Sequence, residues 1–357
     1  MQTDLLRYSC QLNLPGFNEA IQQKLQNAKV LVVGAGGLGC PSAQYLAAVG
    51  VGTLAIADDD TVSIGNLHRQ ILYTPAEVGN KKVLIATGKL QQQNPQINIV
   101  AIEKKIDSSN ALDILKDFDI ILDGTDNFET RYLLNDACVL LNKPLVYGAI
   151  YQYEGQVAIW NIQNEDGTRS PNYRDVFPEV DAALIPNCAE GGVIPTLAGI
   201  IGCMQANEVI KFITGIGELL AGKILMLDAQ TLQSRIIKIG NKTQTNITSI
   251  QTSSHVPVIS ITELMNVLDK NIYTLIDVRT IEEREQFNIG GQHIPILELQ
   301  DQLHEIDAGK PIIFYCASGK RSAEAVKIFR KQNKNVEVFS LEGGMKSWKE
   351  EIAVNNY

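Results

Sequence analysis

Three glycines and one acid are the residues best suited to chemistry in the first part of the chain. Gly34, Gly36 and Gly39 follow the apolar run 31–33 in the pattern G-x-G-x-x-G, and a helical pattern follows them. Glycines in such a loop let backbone N–H groups approach a phosphate, and the helix N-terminus adds partial positive charge. Asp58 comes later, at the end of a second predicted strand, where an acid can bind a ribose hydroxyl. These residues predict a nucleotide site that fits NAD and ATP equally well.

Polar and cationic side chains after this acid indicate which of the two nucleotides, NAD or ATP, the site binds. Asn66, Arg69 and Gln70 follow it closely, and Lys82 comes next in the stretch VGNKKV. A triphosphate carries more charge than a pyrophosphate, and Arg can bind phosphate through two bonds while Lys acts as a point charge. Asp126 in LDGTDN ends another predicted strand, where a magnesium ligand would lie. Each residue alone is most simply a solvated surface group, but together they favour ATP and Mg²⁺.

A second candidate site lies near the C-terminus. The stretch FYCASGKRSAEA places Cys316 at the end of a predicted strand, and a short loop leads into a helix beginning near Ser322. Such a loop can aim backbone N–H groups at the sulfur and stabilise an anionic persulfide. The alternative is a buried structural cysteine. The predicted persulfide loop consists of Cys316, Ala317, Ser318, Gly319, Lys320 and Arg321, of which the last two add positive charge.

Alternating strand and helix patterns position both sites. The first part of the chain has predicted strands at 30–39, 53–60, 97–106 and 118–127 and predicted helices at 40–49 and 111–116. The last part has predicted strands at 273–279, 310–316 and 335–341 and predicted helices at 261–269 and 322–332. Such alternation predicts a parallel, doubly wound α/β sheet, followed by a small second α/β domain.

A change in composition separates these two parts. The stretch NKTQTNITSIQT is polar and poor in bulky apolar residues, which is typical of a linker. We therefore predict a first domain over residues 1–240, a linker over 241–256 and a second domain over 257–357.

The overall composition is that of an ordinary globular protein and disfavours several other classes. Of the 357 residues, 45 % are hydrophobic and 20 % charged, which is enough to bury a large core. The net charge of −9 argues against a nucleic-acid partner, and the apolar runs are too short to span a membrane. The start MQTDLLRYSC lacks the features of a secretory signal. Six scattered cysteines suit a reducing compartment, so we expect a cytoplasmic protein.

Several ordered motifs resemble one enzyme family. They are RYSCQ, VVGAGGLG, DDDTVSIGNLHRQ, VGNKK, DGTDN, YGAI and PNCAEGGV, and they span nearly all of residues 7–240. Together they resemble the ubiquitin-activating-type adenylyltransferases of the MoeB/ThiF branch, which serves molybdopterin and thiamine biosynthesis. In that family ATP adenylates the C-terminal Gly-Gly carboxylate of a small ubiquitin-like protein. The resemblance implies a Rossmann-like adenylation domain that uses ATP and Mg²⁺.

The resemblance also implies roles for individual residues. The phosphates would be lined by Gly34, Gly36, Gly37 and Gly39, and the ribose would be held by Asp58. The triphosphate would be held by Asn66, Arg69 and Lys82, with Gln70 beside them. Magnesium would be held by Asp126. Arg7 matches an arginine that reaches a neighbouring subunit's nucleotide, which implies a homodimer. Cys10 stands where a second arginine is common. Cys188 falls where some relatives keep a cysteine that attacks the adenylate or accepts sulfur, although a buried structural thiol is the alternative.

One departure from the family concerns zinc. Many relatives carry two C-x-x-C pairs that bind structural zinc. Asn172 and Asp175 stand where the first pair would fall, and RIIKIGNKTQTN, where the second would fall, contains no cysteine. Because tetrahedral zinc needs four soft or imidazole ligands, we predict that this chain has no zinc ligands and no zinc.

The second domain resembles the rhodanese sulfurtransferases over roughly residues 257–352. The resemblance rests on the Cys316 loop together with IDVRTIEE and LEGGMKSW. It implies a persulfide on Cys316. Asp277 and Arg279 are expected to form a structural pair, and His293 is expected to serve in a turn or in packing.

The two resemblances together imply a function. ATP would adenylate a ubiquitin-like sulfur-carrier protein ending in Gly-Gly, and the persulfide would convert its terminus into a thiocarboxylate for molybdopterin synthesis, thiamine synthesis or tRNA thiolation. A cysteine desulfurase is one candidate sulfur donor. Two alternatives stay open: an NAD- or FAD-binding oxidoreductase, and an activator that only adenylates and uses its rhodanese domain for docking or regulation.

Overall fold

Two compact units make up the described part of the chain. The computed structural model describes residues 6–178, 192–250, 256–270, 272–333 and 336–355. The first unit comprises 6–178 with 192–250, and the second comprises the described residues from 256 onward. Each unit has its own sheet.

The first unit is built on an eight-stranded sheet in the order β3-β2-β1-β4-β5-β6-β7-β8. Its strands are β1 (Lys29–Val33), β2 (Thr53–Ala57), β3 (Asn98–Ile102), β4 (Ile120–Asp123), β5 (Leu145–Tyr151), β6 (Glu154–Trp160), β7 (Lys223–Asp228) and β8 (Ser234–Lys238). The first five run parallel, whereas β6, β7 and β8 pair antiparallel. The predicted parallel Rossmann-like sheet is thus confirmed for β1–β5, and the antiparallel part extends it.

Helices cover both faces of this sheet. They are Ser9–Leu12, Glu19–Asn27, Gly39–Val49, Lys82–Gln93, Ala111–Leu115, Phe128–Leu140, Tyr173–Val176 and Pro195–Thr214. The long helix Pro195–Thr214 packs on β5, β6 and the helix Gly39–Val49. Because the central strands are covered on both faces, β1 and β4 are almost entirely buried, which explains their continuous apolar sequence.

The second unit has a five-stranded parallel sheet in the order β11-β10-β12-β13-β9. Its strands are β9 (Val258–Ile259), β10 (Thr274–Asp277), β11 (Gln292–His293), β12 (Ile312–Tyr315) and β13 (Val338–Leu341). Its α-helices are Ile261–Val267, Ile281–Gln286, Leu299–Gln302, Lys320–Gln332 and Gly344–Asn355. The smaller second α/β domain that the sequence predicts is therefore present. Among the described residues of the whole chain, none of the helices combines the length and apolarity required of a membrane span.

Candidate active sites

The glycine loop after β1 is closed so tightly that side chains would not fit. A Cβ on Gly39 would lie 1.8 Å from the Gly34 carbonyl oxygen, and a Cβ on Gly34, whose φ is +94°, would lie 2.8 Å from the Gly124 carbonyl oxygen. The loop after β1 therefore touches the loop after β4. Since the strand order reverses between these two strands, the loops border the crevice where open α/β sheets bind ligands.

Replacing Gly39 with alanine should open this loop. We expect Gly39→Ala to lower the free energy of unfolding by roughly 2–3 kcal/mol and to abolish ATP binding, because the new Cβ displaces the Gly34 carbonyl. Gly88→Ala is the matched control, since no atom lies within 4 Å of a Cβ on Gly88, and alanine in a helix should be neutral or stabilising. Thermal unfolding and ATP titration calorimetry measure both effects. Normal ATP binding by Gly39→Ala would contradict the loop's role.

Asp58 lies at the carboxyl end of β2 and is anchored to the glycine loop. Its Oδ2 accepts a hydrogen bond from Ala35 N–H at 2.7 Å, and its Oδ1 accepts one from Asp60 N–H at 2.9 Å. Burial raises the pKa of Asp58 above its usual value. The acid predicted to hold a ribose therefore lies against the loop predicted to hold phosphate.

Lys82 is buried and paired with an acid that the sequence analysis did not single out. Only 3 % of Lys82 is exposed, and its Nζ lies 2.8 Å from Asp60 Oδ2. The acid belongs to the run Asp58–Asp60, so its place two residues after the ribose acid was visible in the sequence. The pairing of Asp60 with Lys82, 22 residues further along the chain, could not be predicted from the sequence. The pair holds the ammonium group close to the backbone on which Asp58 is anchored.

Arg69 and Gln70 lie across the glycine loop. A Cβ on Gly37 would lie 3.4 Å from Arg69 Cγ, and one on Gly36 would lie 3.6 Å from Gln70 Nε2. Arg69 also donates to Asn66 Oδ1 at 3.3 Å. Gln70 is 4 % exposed, and its Oε1 has no hydrogen-bond partner among the described residues. A buried acceptor in this state suits a ligand that donates a hydrogen bond, as the hydroxyl and amino groups of a nucleoside do.

Asp126 and Asp123 have different environments at the end of β4. Asp126 is exposed in the loop after the strand, which leaves its carboxylate accessible to a cation. Asp123 is fully buried, and its Oδ2 accepts from Arg131 Nε at 3.1 Å. Arg131 also donates to the carbonyl oxygens of Thr125 and Gly148. Asp123 and Arg131 therefore hold the loop in place and leave Asp126 as the available carboxylate.

The structure places one of the predicted residues, Arg7, apart from this cluster. Arg7 is exposed and donates to the Gln93 carbonyl at 3.0 Å. Arg7 therefore lies at the far end of the helix Lys82–Gln93. At the usual rise per residue, that end is about 17 Å from Lys82. Cys188 lies outside the described residues.

A polar cluster occupies the place where the family's zinc would be expected. Asp175 Oδ2 accepts from Thr243 Oγ1 at 2.7 Å, and Asp175 Oδ1 accepts from the backbone N–H groups of Gln244 and Thr245 at 2.8 and 2.9 Å. Asn172 Nδ2 donates to the hydroxyls of Thr243 and Thr245. These bonds tie residues 243–245, in the predicted linker, to the first unit. Within the described ranges, no three His, Cys, Asp or Glu side chains gather closely enough to bind a metal.

We expect this cluster to make zinc unnecessary. Purified protein should contain no stoichiometric zinc by elemental analysis, and a chelator should leave its melting temperature unchanged. Asp175→Ala should lower the free energy of unfolding by about 2 kcal/mol, because four hydrogen bonds, three of them partly buried, lose their acceptor. Asp113→Ala, which removes an exposed ion pair with Lys116, should have little effect. One bound zinc per chain would contradict the prediction.

The Cys316 site is formed by a turn between β12 and the helix Lys320–Gln332. Cys316 itself is buried. Gly319 has φ +88° and caps the helix, and a Cβ on Gly344 would lie 2.4 Å from the Cys316 carbonyl oxygen and 2.7 Å from the N atoms of Ser318 and Gly319. The close approach of Gly344 shapes the loop, and the helix N-terminus behind it favours negative charge on the sulfur.

The two cations of this loop differ in their surroundings. Arg321 donates through both terminal nitrogens to the carboxylate of Glu283 at 2.7 and 2.6 Å, and this pairing lowers the pKa of Glu283 to about 2. Lys320 is exposed. The positive charge predicted beside Cys316 is thus largely balanced at Arg321, and Lys320 is the cation that faces solvent.

The predicted structural pair of the second unit is present. Asp277 at the end of β10 accepts from Arg279 Nε at 2.9 Å and from Arg279 Nη2 at 2.7 Å. His293 Nε2 lies 2.9 Å from the Arg279 carbonyl oxygen. These contacts fit the expected roles of Asp277, Arg279 and His293 in structure.

Comparisons with known families agree with the two-part arrangement. The sequence model of the ThiF family matches residues 8–248, and that of the rhodanese-like domain matches residues 260–351. The chain belongs to the ThiF family. Its rhodanese-like domain places it with the members of that family that carry both parts.

Curated relatives match this ThiF–rhodanese chain over nearly its whole length. It is 38 % identical to the probable adenylyltransferase/sulfurtransferase MoeZ of Mycobacterium tuberculosis, covering 98 % of this chain and 94 % of that one. It is 37 % identical to the adenylyltransferase and sulfurtransferase MOCS3 of Drosophila grimshawi, covering 99 % and 85 %. These relatives confirm the predicted enzyme class, an adenylyltransferase joined to a sulfurtransferase.

Two further similarities each cover somewhat less than two thirds of the chain. The chain is 47 % identical over 227 residues to the sulfur carrier protein adenylyltransferase of Thermus thermophilus, covering 63 % of this chain and 84 % of that one. The crystal structure of E. coli MccB with succinimide matches with a TM-score of 0.56 at 21 % identity, covering 64 % of this chain and 68 % of that chain. The latter similarity confirms the α/β fold.

Proposed function

We propose that the enzyme uses ATP and Mg²⁺ to adenylate the C-terminal glycine of a ubiquitin-like sulfur-carrier protein and then transfers sulfur to it. The observation that carries the proposal is the cluster around the glycine loop, where Asp58, Lys82, Arg69 and Gln70 lie together. Cys316, in a persulfide-type loop, supplies the second activity. The names of the relatives from Thermus and Mycobacterium support both halves.

In the first step a carrier carboxylate oxygen attacks the α-phosphorus of ATP, and pyrophosphate leaves. Asp58 holds the ribose, while Arg69 and Lys82 neutralise charge on the phosphates as the P–O bond breaks. The buried position of Lys82 strengthens its interaction with an anion, because the surroundings are less polar than water. Mg²⁺ would neutralise further charge, and Asp126 is the carboxylate that would hold it.

In the second step the terminal sulfur of a Cys316 persulfide attacks the carbonyl carbon of the adenylate, and AMP leaves. The product is an acyl disulfide between carrier and Cys316. A thiolate then attacks the Cys316 sulfur, releasing the carrier thiocarboxylate and forming a disulfide that an external dithiol reduces. Cys188 is our candidate for that thiolate, and a thioester on Cys188 is the alternative route.

Three further features belong to the proposal. Arg7 would complete the nucleotide site of a second subunit in a homodimer, which accounts for its position at the far end of the helix Lys82–Gln93. A short tether between the units would hold the persulfide near the adenylate at roughly millimolar effective concentration. The described cysteines are free, which supports a reducing, cytoplasmic location, with a cysteine desulfurase as a candidate sulfur donor.

Intact mass spectrometry of the carrier tests the proposed function. A carrier ending in Gly-Gly is incubated with enzyme, ATP, Mg²⁺, thiosulfate and a dithiol. We expect its mass to rise by the difference between sulfur and oxygen, with no change when ATP is omitted. Carrier–AMP formation without sulfur incorporation would favour an enzyme that only adenylates. Absence of both, with a bound nicotinamide or flavin, would favour an oxidoreductase.

A further inference from the structure

Two buried serines form a chain of hydroxyl groups that ends at Cys316. Cys316 Sγ lies 3.5 Å from Ser322 Oγ, which lies 2.7 Å from Ser340 Oγ. The exposed fractions of the two serines are 0 and 1 %. Ser322 is on the helix Lys320–Gln332 and Ser340 on β13, so the contact joins two elements that are distant in sequence. Ser340 belongs to none of the motifs that the sequence analysis used.

The hydrogens in this chain can be counted. Two serine hydroxyls supply two hydrogens, and the Gly319 carbonyl oxygen can accept from Ser322 at 3.1 Å or from Ser340 at 3.3 Å. With a neutral thiol, S–H donates to Ser322, Ser322 donates to Ser340, and Ser340 donates to Gly319. With a sulfur anion, Ser322 donates to the sulfur and Ser340 donates to Ser322. Rotating two hydroxyl hydrogens converts one arrangement into the other.

We propose that Ser322 and Ser340 are positioning residues that stabilise the anionic form of Cys316, Ser322 by direct donation and Ser340 by donating to Ser322. The inference rests on the proposed role of Cys316 as the sulfur acceptor. A buried sulfur anion needs donors that replace water, and two linked hydroxyls polarise each other more than one alone. The same hydrogen bonds would stabilise a persulfide anion on Cys316.

Charged and titratable groups also surround the loop, and the serines act in addition to them. Lys320 is exposed, and Arg321 is balanced by Glu283 on the helix Ile281–Gln286. On and after β10, Asp277 is paired with Arg279 and lies 3.5 Å from Arg284. Glu342 and Lys346 flank the start of the helix Gly344–Asn355, which bonds to the loop, and both are exposed. Tyr315, the residue before Cys316, donates to the Gly290 carbonyl. None of these groups is removed in a serine variant. A change in the titration of Cys316 in such a variant therefore measures the effect of the lost hydroxyl.

The test is a pH titration of the Cys316 thiolate by its ultraviolet absorbance, with Cys316→Ser protein as the blank. We expect Ser322→Ala to raise the titration midpoint by about one pH unit and Ser340→Ala to raise it in the same direction by less. Tyr315→Phe is the matched control, because it removes a hydroxyl of the same unit that bonds elsewhere, and it should leave the midpoint unchanged. The pH profile of sulfur loading from thiosulfate, detected by cyanolysis, should shift with the titration midpoint.

Each serine variant is a test by itself. A folded Ser322→Ala protein that titrates like wild type would overturn the proposal, and a shift confined to Ser322→Ala would overturn the part assigned to Ser340. A purely structural role would lower the melting temperature without moving either pH profile. Failure of the wild-type protein to take up sulfur from any donor would instead contradict the proposed function, and the thiolate titration is independent of that result.

Discussion

Cys316→Ser should abolish sulfur transfer while leaving adenylation of the carrier at the wild-type rate. A serine hydroxyl cannot carry a sulfane sulfur, whereas the glycine loop and its cations belong to the other structural unit. Sulfur transfer is measured from thiosulfate to cyanide and, separately, to the carrier. Adenylation is measured by exchange of labelled pyrophosphate into ATP. We expect sulfur transfer to fall to background and exchange to change by less than about twofold.

The control for this substitution is Cys10→Ser. Cys10 is an exposed free cysteine of the first unit, and its loss should affect neither activity. Continued sulfur transfer by Cys316→Ser would show that another group carries the sulfur. Equal loss of both activities would mean that the two units do not act as separate catalysts.

Lys82→Met should lower carrier-dependent pyrophosphate exchange by about a hundredfold or more, the loss typical of removing one charge-stabilising group from an active site. Methionine keeps much of the apolar stem of lysine and removes the ammonium group. Because Lys82 is buried, no exposed cation of the neighbouring surface can take its place, and Asp60 would lose its partner at 2.8 Å. Arg69→Ala should likewise abolish exchange, since Arg69 lies against Gly37.

The neighbouring lysine provides a matched control for Lys82. Lys81 bonds to the Asp59 carbonyl and lies 3.9 Å from Glu103, so Lys81→Met removes one charge from the same stretch at a more exposed position. We expect it to retain exchange within about threefold of wild type. Similar losses in both variants would indicate a general effect of charge, and normal exchange in Lys82→Met would remove the role given to this residue.

Local rules were sufficient to predict the glycine loop and the strands that precede it. The apolar run before Gly34, the spacing to Gly39 and the acid at 58 each follow from a backbone requirement or from strand burial. The same holds for Cys316 and the helix after it. In both cases the informative residues lie within one strand–turn–helix unit, whose geometry its own sequence determines.

Features that depend on pairing between distant segments could not be predicted in this way. The antiparallel strands β6–β8 were missed. The turn between β5 and β6 contains Gln152 at φ +50°, and the turn between β7 and β8 contains Leu232 at φ +56°, and neither residue type predicts a turn. The pairing of Lys82 with Asp60, of Arg321 with Glu283 and of Ser322 with Ser340 depends on tertiary packing. The sequence shows that each of these side chains is present, but it does not show which distant side chain it pairs with.

The proposed function requires that ATP makes a protein's terminal carboxylate reactive in the crevice beside the glycine loop. The most direct measurement mixes the enzyme with α-labelled ATP, Mg²⁺ and a carrier ending in Gly-Gly, quenches within one turnover and looks for label on the carrier. We expect a carrier–AMP species that forms before any thiocarboxylate and disappears when sulfur donor is supplied. The proposed function is wrong if no label ever reaches the carrier while the same crevice binds a nicotinamide cofactor.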